Sequence, residues 1–237
     1  MARLARVIAV DTPHHVTQRG NGRRFILDSD ADRAVYLQLL RQDCHLQGLL
    51  LAGYCLMSSH VHLIAIPCRP DSLALALKHA HGRYAAYFNA RHLSSGHVWQ
   101  GRYYSCPLDI PHLWAALRYT ERNPVRAGLA AAAEDYPWSS AAAHCGGQAA
   151  SDAPLDWSLW SQTWTAPSWR DYLNAAAGEE EAAEIRRNTH TGRPLGTKHF
   201  IENLENALKR RLTPAPGGRP PKVRTDERQS TFTFGSV

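Results

Sequence analysis

No stretch of the 237-residue sequence approaches the roughly 18 consecutive apolar residues that a membrane-spanning helix needs. The opening MARLARVIAVDTPHH carries two arginines but too short an apolar core, and no small-residue cleavage site follows it. No signal peptide is therefore expected, and the expected compartment is the cytoplasm. Cysteine is scarce. The five present, Cys44, Cys55, Cys68, Cys106 and Cys145, include no C-x-x-C pair, and an odd number argues against a disulfide framework. They read as buried free thiols. No internal repeat is visible, which excludes a solenoid or propeller.

What the chain does have is an uneven charge. The net charge is +6. Residues 186–224 hold ten Lys/Arg against two acids, a local +8, while the remainder nets −2. Such a block is the electrostatic footprint of a polyanion partner, nucleic acid first; the plainer alternative is a solvated tail.

Punctuation and periodicity divide the rest. RVIAVDTPHHVTQRG reads as a strand, turning at Gly20–Gly22 and resuming as RRFIL, a hairpin or a sharp bend. DSDADRAVYLQLLRQDCHLQG has acids at its start, helical spacing and a terminal glycine. LLLAGYCLMSSHVHLIAIP reads as two strands, closed by Pro67 and Pro70. SLALALKHAHGRYAAYFNAR is a second helix. GHVWQGRYYSCPLD is an extended return strand, and IPHLWAALRYTERN is a third helix that stops at Asn123 ahead of Pro124. This order predicts an α+β fold, an antiparallel sheet packed with helices, plus a mainly helical, basic C-terminal extension. The expected division is 1–148 as a compact main domain, 149–185 as a Trp/Ala-rich accessory or linker segment, 186–224 as a basic helical extension suited to nucleic acid and 225–237 as a disordered tail. Within the extension a helix is expected from about Leu195 to Leu212.

The second strand of the central pair contains SHVHLI. Strand side chains alternate, so His60 and His62 share one face and Val61 takes the other. A divalent metal would explain two imidazoles on one face; solvent or a polar pocket is the alternative. His79 and His81 have the same spacing but lie in a helix, where residues two apart diverge by roughly 200°, so they cannot share an ion. In the third helix Tyr119 and Asn123 are four apart and stack on one face. An asparagine offers a hard oxygen suited to Mg²⁺ or Mn²⁺, and a tyrosine offers a phenol as nucleophile. A core aromatic and a helix-terminal amide are the structural alternatives.

His60-Val61-His62 within MSSHVHLI, LRYTERNPVRAGLA and YPWSS together resemble the REP-associated tyrosine transposases, members of the HUH single-tyrosine, insertion-sequence type. The resemblance covers about residues 5–148, and TGRPLG and GRPPK are similar to extensions carried by many members. Many relatives have Pro and Asn before the first histidine, where this chain has MSS; those positions are not ligands. The resemblance implies a ferredoxin-like HUH endonuclease core. It implies that His60, His62 and Asn123 bind one divalent ion, Mg²⁺ or Mn²⁺, that clamps the scissile phosphate. It further implies that Tyr119 attacks phosphorus to leave a 5′-phosphotyrosine and a free 3′-hydroxyl, which a second 3′-hydroxyl can reverse. The implied partner is single-stranded or hairpin DNA of a repetitive extragenic palindromic kind, bound by a monomer or homodimer that would be associated with the nucleoid.

Such DNA needs cations and stacking surfaces. Arg19, Arg23 and Arg24 at the first turn, and Arg102 beside Trp99, Tyr103 and Tyr104, are candidates in the catalytic part; a solvated hairpin tip and a core tryptophan are the alternatives. Arg193, Lys209, Arg210, Arg211 and Arg219 are candidates in the extension. Arg219 stands in PGGRPPK, which resembles minor-groove hooks or else is a flexible basic linker. Tyr103 and Tyr104 are rival nucleophiles but lack a ligand-type residue four places on. Two other functions fit less well: a DNA-binding regulator that has lost chemistry, and a metal-dependent phosphodiesterase that uses water.

Overall fold

The computed structural model describes residues 5–147, 155–175 and 178–214. Alternating residues make β1 (His14–Arg19), and two further apolar runs make the hairpin β2 (Leu49–Met57) and β3 (His60–Pro67). The short β4 (Tyr104–Pro107) completes an antiparallel sheet of order β2-β3-β1-β4.

One face is covered by α1 (Asp30–Gln47) and α2 (Ser72–Arg91). Ser29 starts α1 with a reciprocal cap: its hydroxyl accepts from Asp32 N at 3.1 Å, and the Asp32 carboxylate accepts from Ser29 N at 3.1 Å. Gly48 ends it in the left-handed conformation, φ 62°. Tyr36, Leu40, Leu77 and Tyr84 pack here against Val16, Val61 and Leu63.

The opposite face carries α3 (Ile110–Glu121), α4 (Asn123–Arg126), α5 (Ala141–His144), α6 (Trp160–Thr163), α7 (Ala166–Asn174) and α8 (Glu179–Thr191), while α9 (Lys198–Leu208) packs through Leu204 on Val7 and Ala9. Leu113, Leu117, Trp169 and Ile185 bury against Ile64 and Cys106 of the sheet. The fully buried Glu121 knits these helices together. Its carboxylate accepts from Ser140 Oγ at 2.5 Å, His144 Nδ1 at 2.6 Å and Trp169 Nε1 at 2.8 Å. The accessory segment's tryptophans are thus fastened to the C-terminal end of α3. The 185/186 division suggested by charge runs through α8, which packs on β1, β4 and α3.

Four expectations need correcting. Cys68 is exposed, whereas the other four cysteines are buried. RRFIL is not a strand, because Asn21–Arg23 form a 3-10 turn with Gly22 and Arg23 at positive φ, and Phe25 is exposed. The helix through Tyr119 ends at Glu121, not Asn123; Pro124 opens the next helical turn, where its missing N–H costs nothing. The helix expected from Leu195 to Leu212 is shorter, Lys198–Leu208, since Leu195 bridges Leu108 and Lys209 adopts the left-handed conformation. No helix among the described residues is long and apolar enough to cross a membrane.

Candidate active site

Antiparallel register decides what faces α3. Thr17 stands opposite His62, Arg19 opposite His60, and Tyr104 opposite Thr17. Residues directly opposite share a face. A cleft of about 480 Å³ opens there, lined by His15, Thr17, Arg19, His60, His62, Tyr104, Tyr119, Asn123, Arg126, Arg186 and Thr189 among others. No acidic side chain is among its described lining residues.

The structure therefore gathers His60, His62, Tyr119 and Asn123 around one cleft. The rings of His60 and His62 lie 5.0 Å apart, and the Tyr119 ring meets His62 edge-on at 5.7 Å. Burial keeps these imidazoles neutral. It lowers His60 to about 4, helped by the Arg19 charge, and holds His62 well below the ordinary histidine value. His60 Nδ1 meets Ser59 Oγ at 3.1 Å and His62 Nδ1 meets His15 Nε2 at 3.0 Å. Each Nε2 is then the nitrogen left to take a cation.

Asn123 is oriented by the adjacent proline. Pro124 has no N–H to give the Thr120 carbonyl, and the Asn123 side-chain amide supplies donors instead. Nδ2 bonds Tyr119 O at 2.9 Å and Thr120 O at 3.3 Å. Both amide hydrogens are thereby committed to the backbone, and Oδ1 remains as a lone-pair donor. Among the described residues no three His, Cys, Asp or Glu side chains converge as a metal-binding group. The set here is two imidazole nitrogens and one amide oxygen, an incomplete ligand set of the kind that leaves room for water and phosphate oxygens. On donor chemistry, the residues fit a hard divalent ion.

Cations surround the tyrosine. The Arg126 guanidinium lies 5.0 Å over its ring. Arg186 of α8 pairs with Glu179 at 2.5 Å and is within electrostatic reach of Tyr119. Arg19 and Arg23 line the cleft, as expected of phosphate contacts. The other predicted DNA contacts lie apart from it. Arg24 covers Phe88 at 4.9 Å, and Arg102 is exposed. Arg193 donates to Leu212 O, Arg210 to Ala5 O and Arg211 to Pro214 O, while Lys209 is exposed. Arg219 lies outside the described residues. Of the rival tyrosines, Tyr104 lines the cleft and stacks on His190 at 4.9 Å, whereas Tyr103 is buried under Arg6. Trp99 is a core residue lying against His81.

The family model "Transposase IS200 like" matches residues 10–123, the segment that supplies both histidines, the tyrosine and the asparagine. This segment, just under half of the chain, is thus similar to the IS200-like transposases. Among solved structures, the transposase fold is shared with a REP-associated tyrosine transposase bound to a REP hairpin. That likeness has a TM-score of 0.53 at 14% identity and covers 66% of this chain and 98% of that one. A protein named provisionally as a transposase, from Deinococcus radiodurans R1, aligns over 54% of this chain and 92% of its own at 17% identity. Its TM-score of 0.36 is too low to add to the fold. No curated protein matches the chain.

Sequence reasoning missed His15, Arg126, Arg186 and Thr189. For His15 a signal existed: alternation in HHVTQR puts His15, Thr17 and Arg19 on one face. What was absent was the register that sets that face beside His60 and His62. Nothing local marks Arg186 or Thr189, because α8 reaches the cleft only through tertiary packing.

Proposed function

We propose that the protein cleaves and rejoins single-stranded or hairpin DNA, of the repetitive palindromic kind bound by the REP-associated relative, through a 5′-phosphotyrosine on Tyr119. The observation that carries this reading is the placement of Tyr119 in one arginine-lined cleft with the His60–His62 pair. In this reading residues 1–148 are the catalytic part, joined by the accessory segment to a basic extension that adds phosphate contacts.

His60, His62 and Asn123 would hold one Mg²⁺ or Mn²⁺, which supplies Lewis-acid neutralisation of the scissile phosphate. The chain's own groups do the rest. Arg19 and Arg23 bind the DNA backbone at the mouth of the cleft. Arg126 and Arg186 put positive charge beside Tyr119, next to the phosphate that its oxygen would attack. The tyrosine oxygen attacks phosphorus, the bond from phosphorus to the 3′ oxygen breaks, and that oxygen leaves as a 3′-hydroxyl after taking up a proton. The phosphate remains on Tyr119 as an ester, so a second 3′-hydroxyl can run the step backwards without ATP.

The test is a labelled hairpin oligonucleotide incubated with Mg²⁺ or Mn²⁺ and resolved on a denaturing protein gel. Wild type should give a metal-dependent covalent band, and Tyr119→Phe none. Cleavage that persists in Tyr119→Phe would mean a water nucleophile. Tight binding of the cognate hairpin without cleavage would mean a regulator.

A further inference from the structure

A buried hydrogen-bonded chain runs from α8 to the sheet histidines. Thr189 Oγ1 meets His15 Nδ1 at 2.7 Å, and His15 Nε2 meets His62 Nδ1 at 3.0 Å. Thr189, His15 and His62 are all buried, so no water competes for these contacts. The direction of the chain matters. If its protons point toward Thr189, His62 carries its hydrogen on Nδ1 and presents a bare Nε2. If they point the other way, His62 Nε2 carries the hydrogen and cannot bind a cation.

The far end favours the first arrangement. The Cys106 thiol donates to Pro107 O at 3.5 Å, which leaves its sulfur lone pairs for the hydroxyl of its hydrogen-bonding neighbour Thr189. With that proton committed, Thr189 Oγ1 accepts from His15 Nδ1–H. Neutral His15 then has only its Nε2 lone pair to offer, and it receives His62 Nδ1–H. Every proton in the chain has an acceptor, and the series ends on a backbone carbonyl.

We propose that Thr189 and His15 are positioning residues of the metal centre, which fix His62 in the tautomer whose Nε2 can take a divalent ion. α8 is thereby a working part of the site although it lies beyond the segment that the family model matches. The proposal rests on the reading of His62 as a ligand. Groups that orient a metal-bound imidazole typically contribute 10–100-fold in metal affinity.

The experiment uses the full chain without DNA. Mn²⁺ binding is measured by electron paramagnetic resonance for wild type, Thr189→Val, Thr189→Ser and His62→Gln. Ring ¹⁵N shifts of His62 are recorded in the same metal-free proteins. The expected result is Nδ1–H in wild type, a mixed or reversed tautomer with roughly 10–100-fold weaker Mn²⁺ binding in Thr189→Val, and recovery of both in Thr189→Ser. Equal affinity and an unchanged tautomer in Thr189→Val would overturn the proposal. Should wild type bind no more Mn²⁺ than His62→Gln, the ligand reading fails and the metal-centre role of Thr189 and His15 fails with it, whichever tautomer is seen.

Discussion

His81 and the His60–His62 pair meet the same difficulty, an imidazole taken out of water, and resolve it differently. His81 is satisfied within the protein: Tyr36 OH lies 3.1 Å from its Nε2, and the Trp99 ring lies against it at 4.4 Å, tilted by 31°. His60 and His62 each keep one ring nitrogen for the cleft. Burial lowers the His81 pKa from 6.5 to about 3, so the folded protein holds it neutral while the unfolded chain protonates it below 6.5. Below that value the unfolded state binds the extra proton, and stability falls as pH falls. The loss from this residue is about 1.4 kcal/mol per pH unit, running from its unfolded towards its folded pKa. Urea unfolding of metal-free protein between pH 7.5 and 5 should show this decline. In His81→Phe the slope should be shallower by about that amount, even though the variant starts from a different baseline.

At the scale of elements, the contact that sets α3 over the sheet passes through a glycine. A methyl group at Gly53 would lie 2.2 Å from Leu117 Cδ1 and 3.1 Å from Ser140 Oγ. The helix that carries Tyr119 can approach β2 only because position 53 has no side chain. Gly53→Ala should cost about 1–3 kcal/mol in denaturant unfolding and reduce strand cleavage as α3 is pushed off. At Gly82, mid-way along α2, an added methyl group would have nothing within 4 Å. Gly82→Ala should therefore stabilise by about 0.5–1 kcal/mol in the same measurement and leave cleavage unchanged. Helical spacing makes α1 and α2 legible in the sequence, and β3 is legible as a short apolar run, since it is buried on both faces of the sheet. A hairpin partner for the first strand is not there to be read: RRFIL is apolar enough for a strand, but Gly22 and Arg23 at positive φ divert the chain. The His60/His62 pair is legible because period 2 needs no tertiary information. Tyr119 and Asn123 become persuasive only through a family resemblance. His15 and Thr189 require the register of β1 on β3 and the docking of α8.

Across the whole molecule, the excess positive charge is divided. Arg19, Arg23, Arg126 and Arg186 ring the cleft, while much of the extension's described charge is tied to backbone carbonyls or lies away from it. The two ends of the described chain meet, since Val7 and Ala9 pack with Leu204 and Leu212. The protein thus brings residues from β1, β3, α3, α4 and α8 to one tyrosine and one pair of imidazoles. The most direct test of that account is to identify the covalently linked residue. A hairpin substrate trapped after cleavage, digested with the protein and sequenced by tandem mass spectrometry, should carry its 5′-phosphate on Tyr119. A phosphate on Tyr104, the other tyrosine of the cleft, or cleaved DNA with no phosphotyrosine on any peptide, would contradict the assignment.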